Sequence, residues 1–157
     1  MRTRSGPPSR PLGGPALFRV VRYWSRRWAP GSAGDDVPVA HVLVLEAVDA
    51  AAARGSVAVS DVAVELGLDR SNASRMLADA VDAGLVTKTV DPADARRTEL
   101  RITGAGRRLL DQARDWQQAV FEHLVGSWPV QEADAFARSL ERLAAQTLEP
   151  PAPEDLP

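Results

Sequence analysis

The fold is decided by residues 59–86, which read VSDVAVELGLDRSNASRMLADAVDAGLV. This stretch contains two short helical segments with a three-residue turn, 67–69, between them. In the second segment apolar residues recur at i, i+3, i+4, i+7 and i+8, a spacing that predicts one buried helix face. Those residues are Ala73, Met76, Leu77, Ala80 and Val81. The side left exposed, mostly in the N-terminal half, carries Arg70, Ser71, Asn72, Ser74 and Arg75.

Capping residues mark the ends of both helices. Ser60 is predicted to cap a first helix over 61–66, because its hydroxyl can accept an unpaired backbone N–H. Gly67 should end that helix, since glycine tolerates the positive φ of a helix C-terminus. Asp69 is the corresponding cap of the second helix, which should end at Gly84.

A β-hairpin is predicted directly after the two helices. Residues 85–90 and 98–103 are strand-like, and the polar residues 91–97 between them should form a loop. Arg96 and Arg97 would then lie at a charged hairpin tip. Two short helices followed by such a hairpin form a winged helix-turn-helix, in which the second helix enters the major groove of DNA. The arginines of the hairpin could reach a neighbouring minor groove.

Further helices are predicted on both sides of this unit, over 16–28, 39–54, 104–125 and 130–148. The fold class is therefore mainly α with a small β-hairpin wing. Six of the twelve prolines lie within 1–38 and four within 150–157. Because proline breaks helices, residues 1–15 are expected to be a disordered Pro/Arg-rich tail and 149–157 a Pro-rich acidic tail. A single domain over 16–148 remains, as the length of 157 residues suggests.

The net charge of −2 is unevenly distributed along the chain. Residues 1–34 carry +7 and residues 70–108 carry +3, whereas 35–69 and 109–157 carry −6 each. The near-neutral total, which alone argues against an acidic partner, therefore conceals a basic winged segment suited to DNA. The basic N-terminal residues are open to three interpretations: a solubilising tail, extra phosphate contacts, or pairing with the acidic half of a second subunit.

Other features exclude whole classes of protein. The chain has no cysteine and two histidines, so no disulfide framework or cysteine-ligated metal is expected. No nucleophile elbow, His-Glu metal motif or phosphate-binding glycine loop occurs, so we expect no enzyme, no cofactor and no metal. No apolar run approaches the length of a membrane span, and no signal-peptide core is evident. A cytoplasmic protein without a membrane partner is expected.

The order and spacing of several motifs over about 38–147 resemble the MarR (multiple antibiotic resistance regulator) family. The matching residues are Val59-Ser60-Asp61-Val62-Ala63, then 66–77, then Ala83-Gly84-Leu85-Val86, the wing pattern Asp94, Arg96 and Arg97, and Ile102-Thr103-Gly104-Ala105-Gly106-Arg107. The winged helix-turn-helix would occupy about 56–103. The region before residue 38 matches no pattern of the family.

The resemblance implies a homodimeric transcription regulator, a repressor that binds double-stranded DNA at a palindromic operator. Helices over about 16–29, 104–126 and 130–148 would join the subunits, with half-sites ~34 Å apart. The DNA-binding residues would be Arg70, Ser71, Asn72, Ser74, Arg75, Arg96 and Arg97. Asp94 would stabilise the wing by pairing with an arginine. A small aromatic or anionic effector could release the DNA from a crevice near Trp24, Trp28, His41 and Trp116.

One alternative from another class remains open. A winged-helix dimer can serve as a protein-interaction module that does not bind DNA. The discriminating feature is the basic exposed set Arg70, Asn72, Arg75, Arg96 and Arg97, which an interaction module has no reason to keep together.

Overall fold

The computed structural model describes residues 12–24, 39–91 and 94–147. It divides into two units, Met1–Val39 and Ala40–Pro157. The first unit contains α1 (Gly13–Trp24), whose described side chains are all exposed. This helix begins three residues before the predicted start at Ala16, because proline is tolerated in a first helical turn. The predicted continuation to Trp28 and both tails lie outside the described residues.

The second unit contains the remaining described elements. They are α2 (Val39–Ala52), α3 (Val59–Leu66), α4 (Arg70–Asp82), β1 (Val86–Asp91), β2 (Asp94–Ile102), α5 (Gly104–Val125) and α6 (Val130–Thr147). This order confirms the fold class, mainly α with one antiparallel hairpin. Among the described helices, none combines the length and the apolar character that a membrane crossing requires. The single-domain boundaries 16–148 remain a prediction.

The core of the second unit forms around α2. Leu45 and Val44 are fully buried, together with Leu100 of the hairpin and Leu110 of α5. The remaining members of this cluster include Val48, Val57, Val62, Leu77, Ala80 and Val86. Three of the five predicted core positions of α4 are fully buried, and Met76 and Val81 pack against the cluster as partly buried residues. The helix-turn-helix and the hairpin therefore share one apolar core with α2 and α5.

The predicted helix ends are mostly confirmed, with one exception. Asp69 caps α4 by accepting the N–H of Asn72 at 3.0 Å, and Gly67 ends α3 with φ +62°. The prediction that Ser60 caps α3 is wrong, since the helix begins at Val59 and its cap position is Ala58. Here the third helical residue, Asp61, accepts the backbone N–H of Ala58 at 2.8 Å. This hydrogen bond caps the start of α3 in place of the Ser60 hydroxyl.

The hairpin is longer than predicted. Residues 94–97, predicted as part of a loop, belong to β2, and the last strand pair is Asp91 with Asp94. The loop prediction failed because polar side chains are only correlated with loops and do not prevent a solvent-exposed strand. The pairing is irregular near the tip, because β2 has three more residues than β1 between the pairs Val90–Thr98 and Asp91–Asp94. A further backbone bond, from Leu100 to Val57 at 3.0 Å, ties the hairpin to the segment before α3.

The base of the hairpin, the end of α4 and the start of α5 meet at one junction. Thr103 donates its backbone N–H to the carbonyl of Leu85 at 3.0 Å and its hydroxyl to the carbonyl of Gly84 at 2.7 Å. The same hydroxyl oxygen accepts the N–H of Gly106 at 3.0 Å and so caps α5. A Cβ on Gly106 would collide with the Leu85 carbonyl and approach Ile102 Cγ2 to 2.9 Å. The close approach of α5 to Leu85, the residue before β1, therefore requires glycine.

Ion pairs join α5 to α2 along the solvent-exposed edge of the core. Arg114 contacts Glu46 at 2.6 Å and Asp49 at 2.8 Å, and Arg107 contacts Asp49 at 2.8 Å. Burial raises the pKa of Asp49, but the hydrogen bonds from Arg114 and Arg107 outweigh burial and hold it below its ordinary value. The hydrogen bond to Glu46 raises the pKa of Arg114, so this guanidinium remains charged.

We expect Gly106→Ala to lower the free energy of unfolding by about 1–3 kcal/mol, the usual range for overpacking. The matched control is Gly104→Ala in the same helical turn, where the nearest neighbour of an added Cβ is the flexible end of Arg108 at 3.7 Å. That change should raise the free energy of unfolding by about 0.4–1 kcal/mol, because alanine restricts the unfolded chain. Urea unfolding measures the free energy of unfolding of both variants. Equal changes in Gly106→Ala and Gly104→Ala would contradict the proposed close approach at Gly106.

The lowered pKa of Asp49 predicts a pH dependence of stability. Because the folded pKa lies below the ordinary 3.8, the stabilisation is complete above 3.8 and is lost as the pH falls through the folded value. Asp49→Asn should therefore be less stable than the natural chain at neutral pH, and this deficit should shrink in acid. Urea unfolding at neutral pH and near pH 3 measures the difference. A deficit that stays constant between the two would refute the linkage.

Candidate nucleic-acid interface

The polar residues predicted to face DNA lie on one side of α4. Arg70, Ser71, Ser74 and Arg75 are exposed, whereas Asn72 is half-buried. Among the residues that the structure describes, Arg70, Ser71 and Ser74 form no side-chain hydrogen bond or ion pair with the protein. Their donors and acceptors are therefore available to an external partner at the N-terminal half of the helix.

The position of α4 follows from the turn before it. Gly67 has positive φ, and Leu68 donates its backbone N–H to the carbonyl oxygen of Ala63 in α3 at 3.0 Å. The turn leads into α4, whose buried Ala73 and Leu77 face the core. Since these residues fill the inner face, the polar side of α4 points away from the protein. A helix presented in this way has the dimensions to enter a major groove.

A chain of side-chain hydrogen bonds runs along the exposed side of α4. Asn72 donates its side-chain amide to the carboxylate of Asp69, and the Asn72 carbonyl oxygen accepts from the guanidinium of Arg75. Hydrogen bonds from the backbone N–H and the side-chain amide of Asn72 hold the pKa of Asp69 below its ordinary value, so this carboxylate is charged at neutral pH. The interpretation of the sequence missed this chain, although its signal was present in the i, i+3, i+6 spacing of an acid, an amide and an arginine.

The wing contributes a second polar surface. Lys88 on β1 is exposed, and Arg101 on β2 forms an ion pair with Glu99 at 3.1 Å. The backbones of Asp94, Arg96 and Arg97 belong to β2, in the irregular part of the hairpin. Arg96 and Arg97 therefore lie on a strand near the tip and not in a loop. Their side chains, and the predicted pairing of Asp94 with an arginine, lie outside what the structure describes.

Of the four predicted effector residues, the structure describes the side chains of two, His41 and Trp116. His41 on α2 and Trp116 on α5 are both half-buried. Trp24 ends α1 in the first unit and its side chain is not described, while Trp28 lies outside the described residues. In the described part of the chain no group of histidine, aspartate and glutamate side chains could hold a metal ion.

An apolar surface extends from the end of α5 along α6. Phe136 packs between Phe121 and Trp128, with ring centroids 6.1 and 5.4 Å apart. Leu140 and Leu143 continue the same side of α6 and are 36% and 37% exposed. Within α6 no side chain that the structure describes is fully buried. This face therefore leaves several large apolar side chains exposed to solvent.

Comparison with known proteins agrees with this architecture. A family model described as the MarR family matches residues 35–97. A curated relative, the uncharacterized HTH-type transcriptional regulator YxaD of Bacillus subtilis, is 29% identical over 89 residues, which cover 57% of this chain and 62% of the relative. The match thus spans less than two thirds of that relative's length.

Solved structures show the same fold at low sequence identity. MarR itself superposes with a TM-score of 0.70 at 18% identity, covering 90% of this chain and 95% of MarR. BpsR of Bordetella bronchiseptica, whose DNA binding is regulated by 6-hydroxynicotinic acid, superposes with a TM-score of 0.60 at 19% identity, covering 85% of this chain and 93% of BpsR. The family match, the curated relative and the shared fold agree with the motifs around α4 and the wing: residues 35–97 of this chain match the MarR family, and the fold is that of MarR-type winged helix-turn-helix proteins.

Proposed function

We propose that this protein is a homodimeric repressor that binds a palindromic operator through α4 and the wing. The observation that carries the proposal is the set of exposed polar residues at the N-terminal half of α4, opposite the face that buries Ala73, Leu77 and Ala80 in the core. Short hydroxyl groups next to two arginines suit the donor and acceptor pattern of a major groove. DNA binding and regulation by small ligands are typical of the family.

The distribution of charge supports DNA as the partner. The segment 70–108, which contains α4 and the wing, carries +3 per chain, and a dimer would present it twice. Phosphate contacts from such basic residues position a protein on the duplex, while contacts to base edges select the sequence. We assign Arg75, with Arg70, Ser71, Asn72 and Ser74 around it, to the major groove. Arg96 and Arg97 are assigned to the phosphates or the minor groove beside it, and Asp94 to stabilising the wing.

The apolar face of α6 and the end of α5 supports a homodimer. Phe136, Leu140 and Leu143 line one side of α6 and are each more than a third exposed. Pairing two such faces would bury apolar surface that a single chain leaves in water, which favours association. It would also hold two recognition helices at a fixed spacing, as a palindromic operator requires.

Regulation by a small molecule is part of the same proposal. In BpsR, which shares this fold, 6-hydroxynicotinic acid regulates DNA binding, and that compound is an aromatic acid. In this chain the half-buried His41 and Trp116 are the described candidates for such a site, and Trp24 and Trp28 remain predicted members.

Binding to DNA should depend steeply on salt. Fluorescence anisotropy with a duplex covering the region upstream of its own gene should show affinity falling about a thousandfold between about 50 and 200 mM salt, if about six phosphates are contacted.

Arg75→Ala should weaken binding to the preferred sequence by ~1–3 kcal/mol, whereas Arg97→Ala should weaken binding to all sequences alike and reduce the dependence of affinity on salt. Arg138→Ala, which removes an exposed arginine of α6, is the control.

Two outcomes would contradict these assignments. Absence of salt-dependent binding to any duplex would favour the alternative of a protein-interaction module. Unchanged affinity for the preferred sequence in both variants would show that α4 and the wing are not the contact surface.

The dimer is tested by molar mass in solution. Light scattering at micromolar concentration should give twice the chain mass of 16.9 kDa. Leu140→Glu should shift the mass to that of a single chain, because a charge in an apolar interface is not compensated. Ser139→Glu introduces the same charge on the neighbouring exposed residue and should leave the dimer intact. A monomeric natural chain, or equal behaviour of the two variants, would refute this interface.

A further inference from the structure

We propose that Asn72 does not read a base itself but holds the guanidinium of Arg75 in position to read one base pair, and that Asp69 in turn holds Asn72. This inference rests on the proposed DNA-binding function and concerns how its specificity arises. Asn72 is then a positioning residue, and Arg75 is the group that contacts DNA. The three residues act as one reading unit on each recognition helix.

The hydrogen-bond chain has only one chemically consistent direction. The carboxylate of Asp69 can only accept, and the guanidinium of Arg75 can only donate. The amide of Asn72 therefore must turn its NH₂ group toward Asp69 and its carbonyl oxygen toward Arg75, as observed. Opposite charges at the two ends polarise the amide between them, which strengthens both bonds.

Both polar atoms of the Asn72 side chain are thus engaged within the protein. An asparagine that recognises adenine uses its oxygen and its nitrogen together, in a bidentate contact. Here such a contact would have to compete with a carboxylate on one side and a guanidinium on the other. Asn72 is also half-buried, unlike the exposed Arg70, Ser71, Ser74 and Arg75 around it.

Arg75 is in the complementary situation. It is exposed, and its bond to Asn72 uses one nitrogen of the guanidinium. A guanidinium has five N–H donors in a rigid fork, so several remain for a guanine edge. Because Asn72 holds the long Arg75 side chain in the free protein, that side chain loses less conformational entropy when DNA binds. Positioning by Asn72 should therefore sharpen discrimination at the base pair that Arg75 reads.

Asp69 has two separable roles in this unit. One carboxylate oxygen accepts the backbone N–H of Asn72 and caps the helix, and the other accepts the Asn72 side-chain amide. Serine retains the first role because its hydroxyl is a good cap. It lacks the second carboxylate oxygen, which accepts the side-chain amide of Asn72. Asp69→Ser therefore separates positioning from helix stability.

A double-mutant cycle tests the proposal. The full-length protein selects its preferred duplex from a random-sequence pool, and affinities are then measured for that duplex and its single-base-pair variants. Arg75→Ala should reduce discrimination at one base pair by about tenfold or more. Asn72→Ala should reduce discrimination at the same base pair. In the Arg75→Ala background, Asn72→Ala should cause little further loss of discrimination. Circular dichroism and thermal melting establish that each variant folds.

Asp69→Ser provides the second arm. It should lose part of the discrimination at the same base pair while its melting temperature stays close to that of the natural chain. Removing a negative charge near DNA can raise affinity for all sequences, so the readout is the ratio between base pairs and not affinity alone. Asp82→Ser makes the same substitution at the exposed far end of α4 and should leave that ratio unchanged.

The outcomes separate this inference from the proposed function. If Asn72→Ala alters discrimination at a different base pair, or if its effect multiplies with that of Arg75→Ala, Asn72 reads a base of its own and the inference is overturned while DNA recognition stands. Full discrimination by Asp69→Ser would overturn the role of Asp69. If the natural chain selects no sequence from the pool, the proposed function and the inference both fail.

Discussion

The rest of the fold depends on the contact between the carbonyl of Leu85 and the start of α5. That carbonyl accepts the N–H of Thr103, and the chain can approach it so closely only because Gly106 has no side chain. Leu85 connects α4 to the wing, and Thr103 connects the wing to α5. One compact junction therefore sets α4, the hairpin and the long helix α5 relative to one another, and hydrogen bonds within the protein engage its polar groups.

The proposed functional surfaces are built outward from this junction and have different chemistry. The exposed side of α4 is polar and prearranged, with Asp69, Asn72 and Arg75 linked by hydrogen bonds. The exposed side of α6 is apolar, with an aromatic cluster around Phe136. Charge follows the same division, since residues 70–108, with α4 and the wing, carry +3 and residues 109–157, with α6, carry −6. A net charge near zero is therefore compatible with a basic surface for DNA, because charge acts at short range in salt solution.

Local patterns predicted local structure well and failed where a neighbouring segment took part. The buried stripe of α4 and the cap at Asp69 were predictable, because helical spacing and capping depend on residues a few positions apart. Ser60 was misassigned because Asp61 takes over the capping at Ala58. The loop prediction for residues 94–97 failed because polar composition does not reveal that a solvent-exposed strand continues almost to the hairpin tip. The hydrogen-bond chain of α4 was overlooked because each member has several partners available in sequence, and rotamers decide among them.

The sequence by itself determined the helix-turn-helix, the wing, the polar face of α4 and the separation of charge. It did so because periodicity, capping and composition act over short distances along the chain. Only the tertiary structure decided that Gly106 lies against Leu85, that Arg114 and Arg107 bridge to α2, and that Asn72 lies between Asp69 and Arg75. The first two of these contacts join residues separated by about twenty to seventy positions, and the third depends on side-chain rotamers. The first two therefore require the packed backbone, whereas the third requires only the formed helix and one choice of rotamers among several.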